Sequence, residues 1–219
     1  MTRAEEIAAS VAVVRGRIAS AVARAGRDPA SVTLVAIGKT KPLADLLAAF
    51  EAGVTHFGEN RVQEAEQKFP SLPAAAVRHL VGPIQSNKAS RAARIADVVE
   101  TVDSTEIARR LARGAETAGK RLRVLIEVRL GGEATKAGVE PDGAAALADA
   151  VRALPALDLT GLMTIPPPGE TRPHFATLRR LAECLGLPEL SMGMSDDFEA
   201  AIEEGATLVR VGTAIFGRR

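Results

Sequence analysis

Two lysines near the end of an apolar run are the residues best suited to covalent chemistry. Lys39 and Lys41 stand in the string GKTKP, directly after a run of Val, Ala and Ile. Alternation in an extended strand places both lysines on the same face as Val35 and Ile37. An amine among apolar side chains loses solvation, which favours its neutral form and its attack on a carbonyl. Alternation does not distinguish the two lysines, and a strand-end lysine that reaches solvent is the simpler interpretation.

A polar set near the end of the chain predicts a phosphate-sized pocket. Ser195, Arg210, Gly212 and Thr213 lie in the strings SMGMSDD and RVGTAIFG. We expect Ser195 to cap a helix whose first turn holds two aspartates, with its hydroxyl still able to face an anion. Gly212 and Thr213 add backbone N–H groups and a hydroxyl, and Arg210 adds a positive charge on the same strand face. Each string is a weak signal, but together they outline a basic pocket.

Eight short apolar runs position these residues, and most are followed by an Ala-, Glu- and Arg-rich stretch with helical spacing. The predicted strands are Val32–Lys39, Thr55–Phe57, Val77–Val81, Asp97–Val102, Arg123–Arg129, Leu159–Ile165, Glu189–Met192 and Thr207–Val211. The predicted helices are 43–52, 60–68, 86–95, 104–118, 142–153, 172–185 and 196–204. Strand–helix alternation predicts a parallel (β/α)8 TIM barrel with its functional face at the carboxyl ends of the strands. An open doubly wound sheet is the main alternative, and the lack of a GxGxxG motif after any strand weakens its nucleotide-binding version.

A further helix is predicted ahead of the first strand, within residues 1–26. Apolar residues recur there at steps of three or four and form one stripe: Ile7, Val11, Val14, Ile18 and Val22. No stretch with the composition of a linker divides the 219 residues, so we expect a single domain spanning residues 1–219.

Composition and charge narrow the classes of function. The 28 basic and 27 acidic residues leave a net charge of +1, and aromatic residues make up 3%, so we expect no nucleic-acid binding. Acids stand where a signal peptide has its apolar run, and no stretch approaches the roughly 20 apolar residues of a membrane span. We therefore expect a cytoplasmic protein without a membrane partner. Cys184 is the only cysteine, which excludes an internal disulfide and a cysteine-based metal cluster; we expect no metal site.

Beyond these chemical arguments, the motifs resemble those of the pyridoxal phosphate homeostasis proteins, whose fold is that of the N-terminal domain of alanine racemase. The resemblance runs from about Val32 to Gly217. It is carried by KTKP at 39–42, HFGEN and VQE within 56–64, H and GPIQSNK within 79–88, GLMTI at 161–165, SMGMSDDFEAAI at 191–202 and VRVGTAIFG at 209–217.

The resemblance implies a cofactor, pyridoxal 5′-phosphate (PLP), held covalently as a Schiff base on Lys39 rather than Lys41. Further binding residues that it implies are Ser195, Gly212 and Thr213 around the phosphate, Arg210 at the pyridine nitrogen and Asn60 on the cofactor's other side. His79 is a weaker candidate, because a histidine at a strand end is more often a hydrogen-bonded structural residue. Gly38 stands where the family usually has serine, which predicts a looser strand end.

The resemblance also implies a carrier that buffers PLP and passes it to apo-enzymes without appreciable turnover. Alanine racemase uses a tyrosine as its second base, and this chain has no tyrosine. An arginine at the ring nitrogen stays protonated, so the nitrogen stays unprotonated and the ring is a weaker electron sink.

Two alternatives remain open at this point. One is a PLP-dependent racemase or related amino-acid enzyme that uses His79 or a thiol as its second base. The other is a barrel enzyme for a phosphorylated metabolite without an aldehyde. Lys136 is a candidate to take the aldehyde transiently during transfer, although a solvated loop lysine is the simpler interpretation. We expect a monomer.

Overall fold

The computed structural model describes residues 1–131 and 137–218. Within these residues, eight parallel strands form a closed barrel in which each strand pairs with the next and the last pairs with the first. The strands are β1 Thr33–Ile37, β2 His56–Glu59, β3 Val77–Leu80, β4 Val98–Val102, β5 Leu122–Glu127, β6 Leu157–Met163, β7 Glu189–Ser191 and β8 Leu208–Val211. The (β/α)8 prediction is therefore confirmed. Pairing of Leu34 in β1 with Val209 in β8 excludes the open sheet.

The helices occupy the predicted stretches, with small shifts at their ends. They are α1 Arg3–Arg24, α2 Leu43–Glu51, α3 Val62–Lys68, α4 Ala89–Ile95, α5 Thr105–Thr117, α6 Ala144–Arg152, α7 Arg172–Leu185, α8 Phe198–Glu203 and α9 Thr213–Phe216. The short helix α9 was not predicted. Strand β1 ends at Ile37 rather than Lys39, because the N–H of Lys41 donates to the carbonyl of Gly38 and closes a turn. Thr40, inside that turn, has a φ of +64°.

Side chains that alternate along the strands divide the core in two. One face of each strand packs against the surrounding helices, as Phe57 and Val99 do. The other face fills the barrel interior with a small apolar cluster: Val35, Ile37, Val81, Val98, Leu125, Met163 and Leu208. Alternation carries Glu100 and Arg210 into the same interior, two residues after Val98 and Leu208. The interior therefore combines an apolar layer with buried charged groups.

Helix α1 links the first and last segments of the barrel. Its five predicted stripe residues are all buried, and Thr2 and Glu5 form a capping box at its start. Arg17 lies 4.5 Å above the ring of Phe198 and binds both carboxylate oxygens of Glu199, at 2.7 and 2.8 Å. These contacts hold α8 against α1, and α8 follows one of the loops that line the pocket described below. No helix in the described part of the chain is both long and apolar enough to cross a bilayer.

Candidate functional site

A pocket of about 300 Å³ opens at the carboxyl ends of β1, β2 and β8. The six residues singled out in the sequence all line it: Lys39, Asn60, Ser195, Arg210, Gly212 and Thr213. Its apolar wall includes Ile37, Val81 and Ile165. A pocket of this volume with a few convergent polar groups suits a small ligand. The fold thus brings the six residues together, and their roles as ligands stay predictions.

The two lysines of the GKTKP string have different surroundings. Lys39 lines the pocket with an exposed side chain, which agrees with the simpler interpretation of a strand-end lysine that reaches solvent and not with a desolvated amine. Lys41 points elsewhere, because its Nζ donates to the carbonyl oxygens of Phe216 and Arg218 at 3.1 and 3.2 Å. Strand alternation fails here because β1 ends at Ile37, and both lysines lie in the turn that follows, where Thr40 has a positive φ. Geometry therefore favours Lys39 for chemistry in the pocket.

Lys68, at the end of α3, and its neighbour Glu64 hold the turn on the two sides of Lys39. Its Nζ donates to the carbonyl oxygen of Gly38 at 2.9 Å and to Glu64 Oε2 at 3.3 Å. The same Glu64 oxygen accepts the backbone N–H of Thr40 at 2.9 Å, and this bond holds the pKa of Glu64 below its usual range. Sequence reasoning missed this arrangement. The spacing of Glu64 and Lys68 at i and i+4 on a helix was its one local signal.

Gly38 is closely packed, which contradicts the expected loosening of the strand end. A Cβ atom at this position would lie 2.9 Å from Glu59 Oε1 and from both terminal methyl groups of Leu46. Glu59 is fully buried and pairs with Lys68 at 2.8 Å. Burial raises the pKa of Glu59, and Lys68 opposes that rise.

Ser195 does not cap helix α8, so that prediction is wrong. The helix begins at Phe198, and the Oδ1 of Asp197 accepts the backbone N–H of Met194 at 2.6 Å. The Oγ of Ser195 instead accepts the backbone N–H of Ala214 at 3.3 Å. This bond ties the loop after β7 to the start of α9. It uses a lone pair of the hydroxyl and leaves the O–H proton available to an anion.

Gly212 and Thr213 form the junction between β8 and α9. A Cβ atom on Gly212 would lie 3.3 Å from the carbonyl oxygen of Ile37, so glycine allows the end of β8 to approach β1 closely. Thr213 is the first residue of α9, and its N–H therefore has no acceptor within the helix. With the hydroxyls of Ser195 and Thr213, this N–H gives the pocket a group of anion-binding donors.

Arg210 is buried and lines the pocket. Its Nη1 donates to the Oγ of Ser191 at 2.6 Å, and its Nη2 donates to the carbonyl oxygen of Thr164 at 2.8 Å. Burial lowers the pKa of Arg210, and the nearby Glu100 and Glu127 oppose that effect. A guanidinium has five N–H donors and stays protonated in proteins. Since only two hydrogen bonds of the Arg210 guanidinium go to protein acceptors among the described residues, its other N–H groups remain available to a ligand in the pocket.

His79 does not line the pocket. It is buried, and its Nδ1 lies 2.7 Å from Glu100 Oε1 while its Nε2 lies 2.9 Å from His56 Nδ1. Burial, together with the weaker effect of His79, lowers the pKa of His56 to about 4. Burial acts to raise the pKa of Glu100, but its hydrogen bonds with His79 and Ser191 and the nearby positive charge of Arg210 outweigh burial and hold the pKa below its usual range. An acidic residue inside the apolar strand VVETV was the sequence signal for this cluster, and it was missed.

Glu127 at the end of β5 is a second buried acid near Arg210. Its Oε2 has no hydrogen-bond partner among the described residues. Burial, aided by the charge of Asp103 and opposed by that of Arg210, raises the pKa of Glu127 to about 7. Lys136, the predicted relay lysine, lies outside the described residues.

Comparison with known proteins finds close relatives over almost the whole chain. A protein from Pseudomonas aeruginosa named pyridoxal phosphate homeostasis protein is 48% identical over 97% of this chain and 96% of its own length. A protein of the same name from Escherichia coli is 41% identical over 98% of this chain and 97% of its own length.

A family model and a solved structure agree with these relatives. Residues 13–219 match the model described as alanine racemase, N-terminal domain. The structure of PipY from Synechococcus elongatus with PLP bound is 40% identical, with a TM-score of 0.80 over 91% of this chain and 100% of that one. The chain belongs to the family of pyridoxal phosphate homeostasis proteins, built on the alanine racemase N-terminal-domain fold.

Proposed function

We propose that this chain binds PLP in the pocket at the carboxyl ends of the strands, and that it carries and buffers the cofactor. Lys39 holds the aldehyde carbon as a Schiff base. The observation that carries the proposal is the meeting of an exposed lysine amine, a group of anion-binding donors and a buried arginine in one pocket of about 300 Å³. The names of the curated relatives and the PLP bound to PipY support it.

The pocket's chemistry fits each part of the cofactor. The hydroxyls of Ser195 and Thr213 and the backbone at Gly212 suit the phosphate. The apolar side chains of the wall suit the ring, with Asn60 on the other side, and the free N–H groups of Arg210 suit the pyridine nitrogen. Condensation of the Lys39 amine with the aldehyde releases one water and is reversible, as delivery of a carried cofactor requires.

The same geometry favours storage over turnover. Arg210 is a permanent cation that donates hydrogen bonds, so a ring nitrogen bound to it stays unprotonated and the ring stabilises a carbanion poorly. The second bases considered from the sequence do not reach the pocket: His79 is committed to Glu100, and Cys184 is an exposed residue of α7. We therefore assign the chain no appreciable amino-acid turnover.

The proposal extends to the setting in which the carrier acts. We place it in the cytoplasm as a monomer that supplies apo-enzymes with PLP. The homeostasis names of its relatives support the role as a PLP supplier.

Titration of the apo-protein with PLP, followed by visible absorbance, tests the proposal. We expect a yellow band that saturates at one PLP per chain, is lost in Lys39→Ala and is retained in the matched control Lys41→Ala. Loss of the band from the parent, or its retention in Lys39→Ala, would contradict binding through Lys39. Chiral analysis after incubation with amino acids tests the carrier role. Racemisation that proceeds at ordinary enzyme rates and is abolished in Lys39→Ala would refute the carrier role.

A further inference from the structure

A chain of hydrogen bonds runs behind the pocket through the barrel interior. Arg210 Nη1 lies 2.6 Å from Ser191 Oγ, which lies 2.5 Å from Glu100 Oε2. Glu100 Oε1 lies 2.7 Å from His79 Nδ1, and His79 Nε2 lies 2.9 Å from His56 Nδ1. All of these side chains except that of His56 are buried. The bonds join residues from five strands, and only Arg210 lines the pocket.

The donors in this chain have one consistent order. A carboxylate only accepts hydrogen bonds, so Glu100 takes the single proton of Ser191 on one oxygen and the Nδ1 proton of His79 on the other. The Ser191 oxygen must then accept from Arg210. When His79 donates its Nδ1 proton to Glu100, the Nε2 of the neutral ring is an acceptor. The hydrogen bond at Nε2 is therefore donated by His56 from its Nδ1. Glu100 is the acceptor on which both halves of the chain depend.

Glu100 also compensates the charge of Arg210 without touching it. A buried cation requires a nearby anion. A direct bidentate pair would occupy two N–H groups of the guanidinium. With Ser191 between them, the contact takes only one N–H, and Thr164 takes another. The orientation of Arg210 is fixed while its remaining donors stay available to the pocket.

We propose that Glu100 is a positioning residue that, through Ser191, aims Arg210 at the pyridine nitrogen and keeps that nitrogen unprotonated. This inference rests on the proposed function. Among the described residues, the titratable groups around Arg210 and Glu100 are His79 on β3, His56 on β2 and Glu127 on β5, with Asp197 contributing more weakly. Within the described part of the chain, Glu127 makes no hydrogen bond to Arg210 or Ser191, and its Oε2 has no partner, so the orienting role falls to Glu100.

The test is ¹⁵N NMR of PLP labelled at the ring nitrogen and bound to the full chain. In the parent, we expect a signal typical of an unprotonated, hydrogen-bonded nitrogen that does not change across the neutral pH range. In Ser191→Ala and Glu100→Gln, we expect the signal to move and become pH-dependent, because a nitrogen released by Arg210 takes up a proton. PLP affinity should fall about tenfold, as for the loss of one charged hydrogen bond.

His56→Asn is the matched control, since it changes the far end of the same chain of hydrogen bonds. It should leave the ring-nitrogen signal at its parental position. Thermal unfolding of the apo-proteins separates misfolding from the proposed effect. If Glu100→Gln does not fold, Ser191→Ala alone tests the inference. A ring-nitrogen signal identical to that of the parent in folded, PLP-bound Ser191→Ala overturns the inference. A parent that binds no PLP refutes the proposed function instead.

Discussion

Replacing Lys68 with methionine should weaken the support of the turn that carries Lys39, although Lys68 does not line the pocket. The change removes the Nζ bonds to Glu59 at 2.8 Å and to the Gly38 carbonyl at 2.9 Å. It leaves the carboxylate of Glu59 buried without its partner. We expect both a less stable protein and weaker PLP binding.

The burial of the pair sets the size of the effect. The side chain of Glu59 is 0% exposed and that of Lys68 is 12% exposed. Removing one partner of a buried pair costs about 3–5 kcal/mol, and the slight exposure of Lys68 favours the lower end. For a chain of this size, a loss of about 3 kcal/mol lowers the melting temperature by roughly 6–12 °C.

The loss should also depend on pH. Burial already raises the pKa of Glu59, and without Lys68 the pKa rises further. The folded variant then binds more protons than the unfolded chain between the ordinary carboxyl pKa of about 4.3 and the raised value, so its stability falls as pH increases. The stability of Lys68→Met should therefore differ least from that of the parent at about pH 5 and most at about pH 8.

Denaturant unfolding across this pH range, together with PLP titration, measures both effects. Lys88→Met, a lysine replacement in the loop after β3, should stay within about 0.5 kcal/mol of the parent. The double variant Glu59→Gln/Lys68→Met also removes the buried carboxylate charge that Lys68→Met leaves without a partner. It should recover most of the stability and lose the extra pH dependence, yet bind PLP about fivefold more weakly, because the Gly38 carbonyl has still lost its hydrogen bond. A Lys68→Met protein as stable as the parent at neutral pH would refute this reasoning.

Two further predictions concern a buried acid and a close backbone contact. Burial raises the pKa of Glu127 to about 7, so the free energy of unfolding of the apo-protein should fall as pH rises from about 5 to 8. Glu127→Gln should flatten that fall, and equal slopes in denaturant unfolding would contradict the assignment. A Cβ atom on Gly82 would lie 2.2 Å from the carbonyl oxygen of Asn60, so Gly82→Ala should cost about 2 kcal/mol. Gly16 lies on the exposed face of α1 with open space around it, so Gly16→Ala should instead stabilise the protein by about 0.5–1 kcal/mol. A Gly82→Ala protein that is more stable than Gly16→Ala would refute the packing argument.

Periodicity was sufficient to predict the barrel, since parallel strands buried on both faces give apolar runs that differ from amphipathic helices. It failed at short elements. Helix α9 has four residues, too few to show a helical period, and it lies in the apolar string TAIF. The end of β1 was placed too late because alternation does not reveal the turn that Thr40 closes with a positive φ.

The candidate site was predictable where position along a strand was enough. Carboxyl ends of parallel strands meet at one end of a barrel, and the six predicted residues accordingly line one pocket. The supporting contacts were not predictable, because Ser191 and Glu100 are 91 residues apart and meet only across the closed barrel. The cap assigned to Ser195 failed for a local reason. Several polar residues precede Phe198, so the sequence does not show at which of them the helix begins. The helix begins after Asp197, whose side chain accepts the N–H of Met194.

Borohydride reduction of the PLP-loaded protein, followed by peptide mapping, tests the central claim most directly. Reduction makes a Schiff base permanent, so the modified residue identifies the amine that held the aldehyde. We predict a single phosphopyridoxyl group on Lys39, with Lys41 and Lys68 unmodified. Labelling of another lysine as the main product, or no labelling of a protein that still binds PLP, would contradict the account.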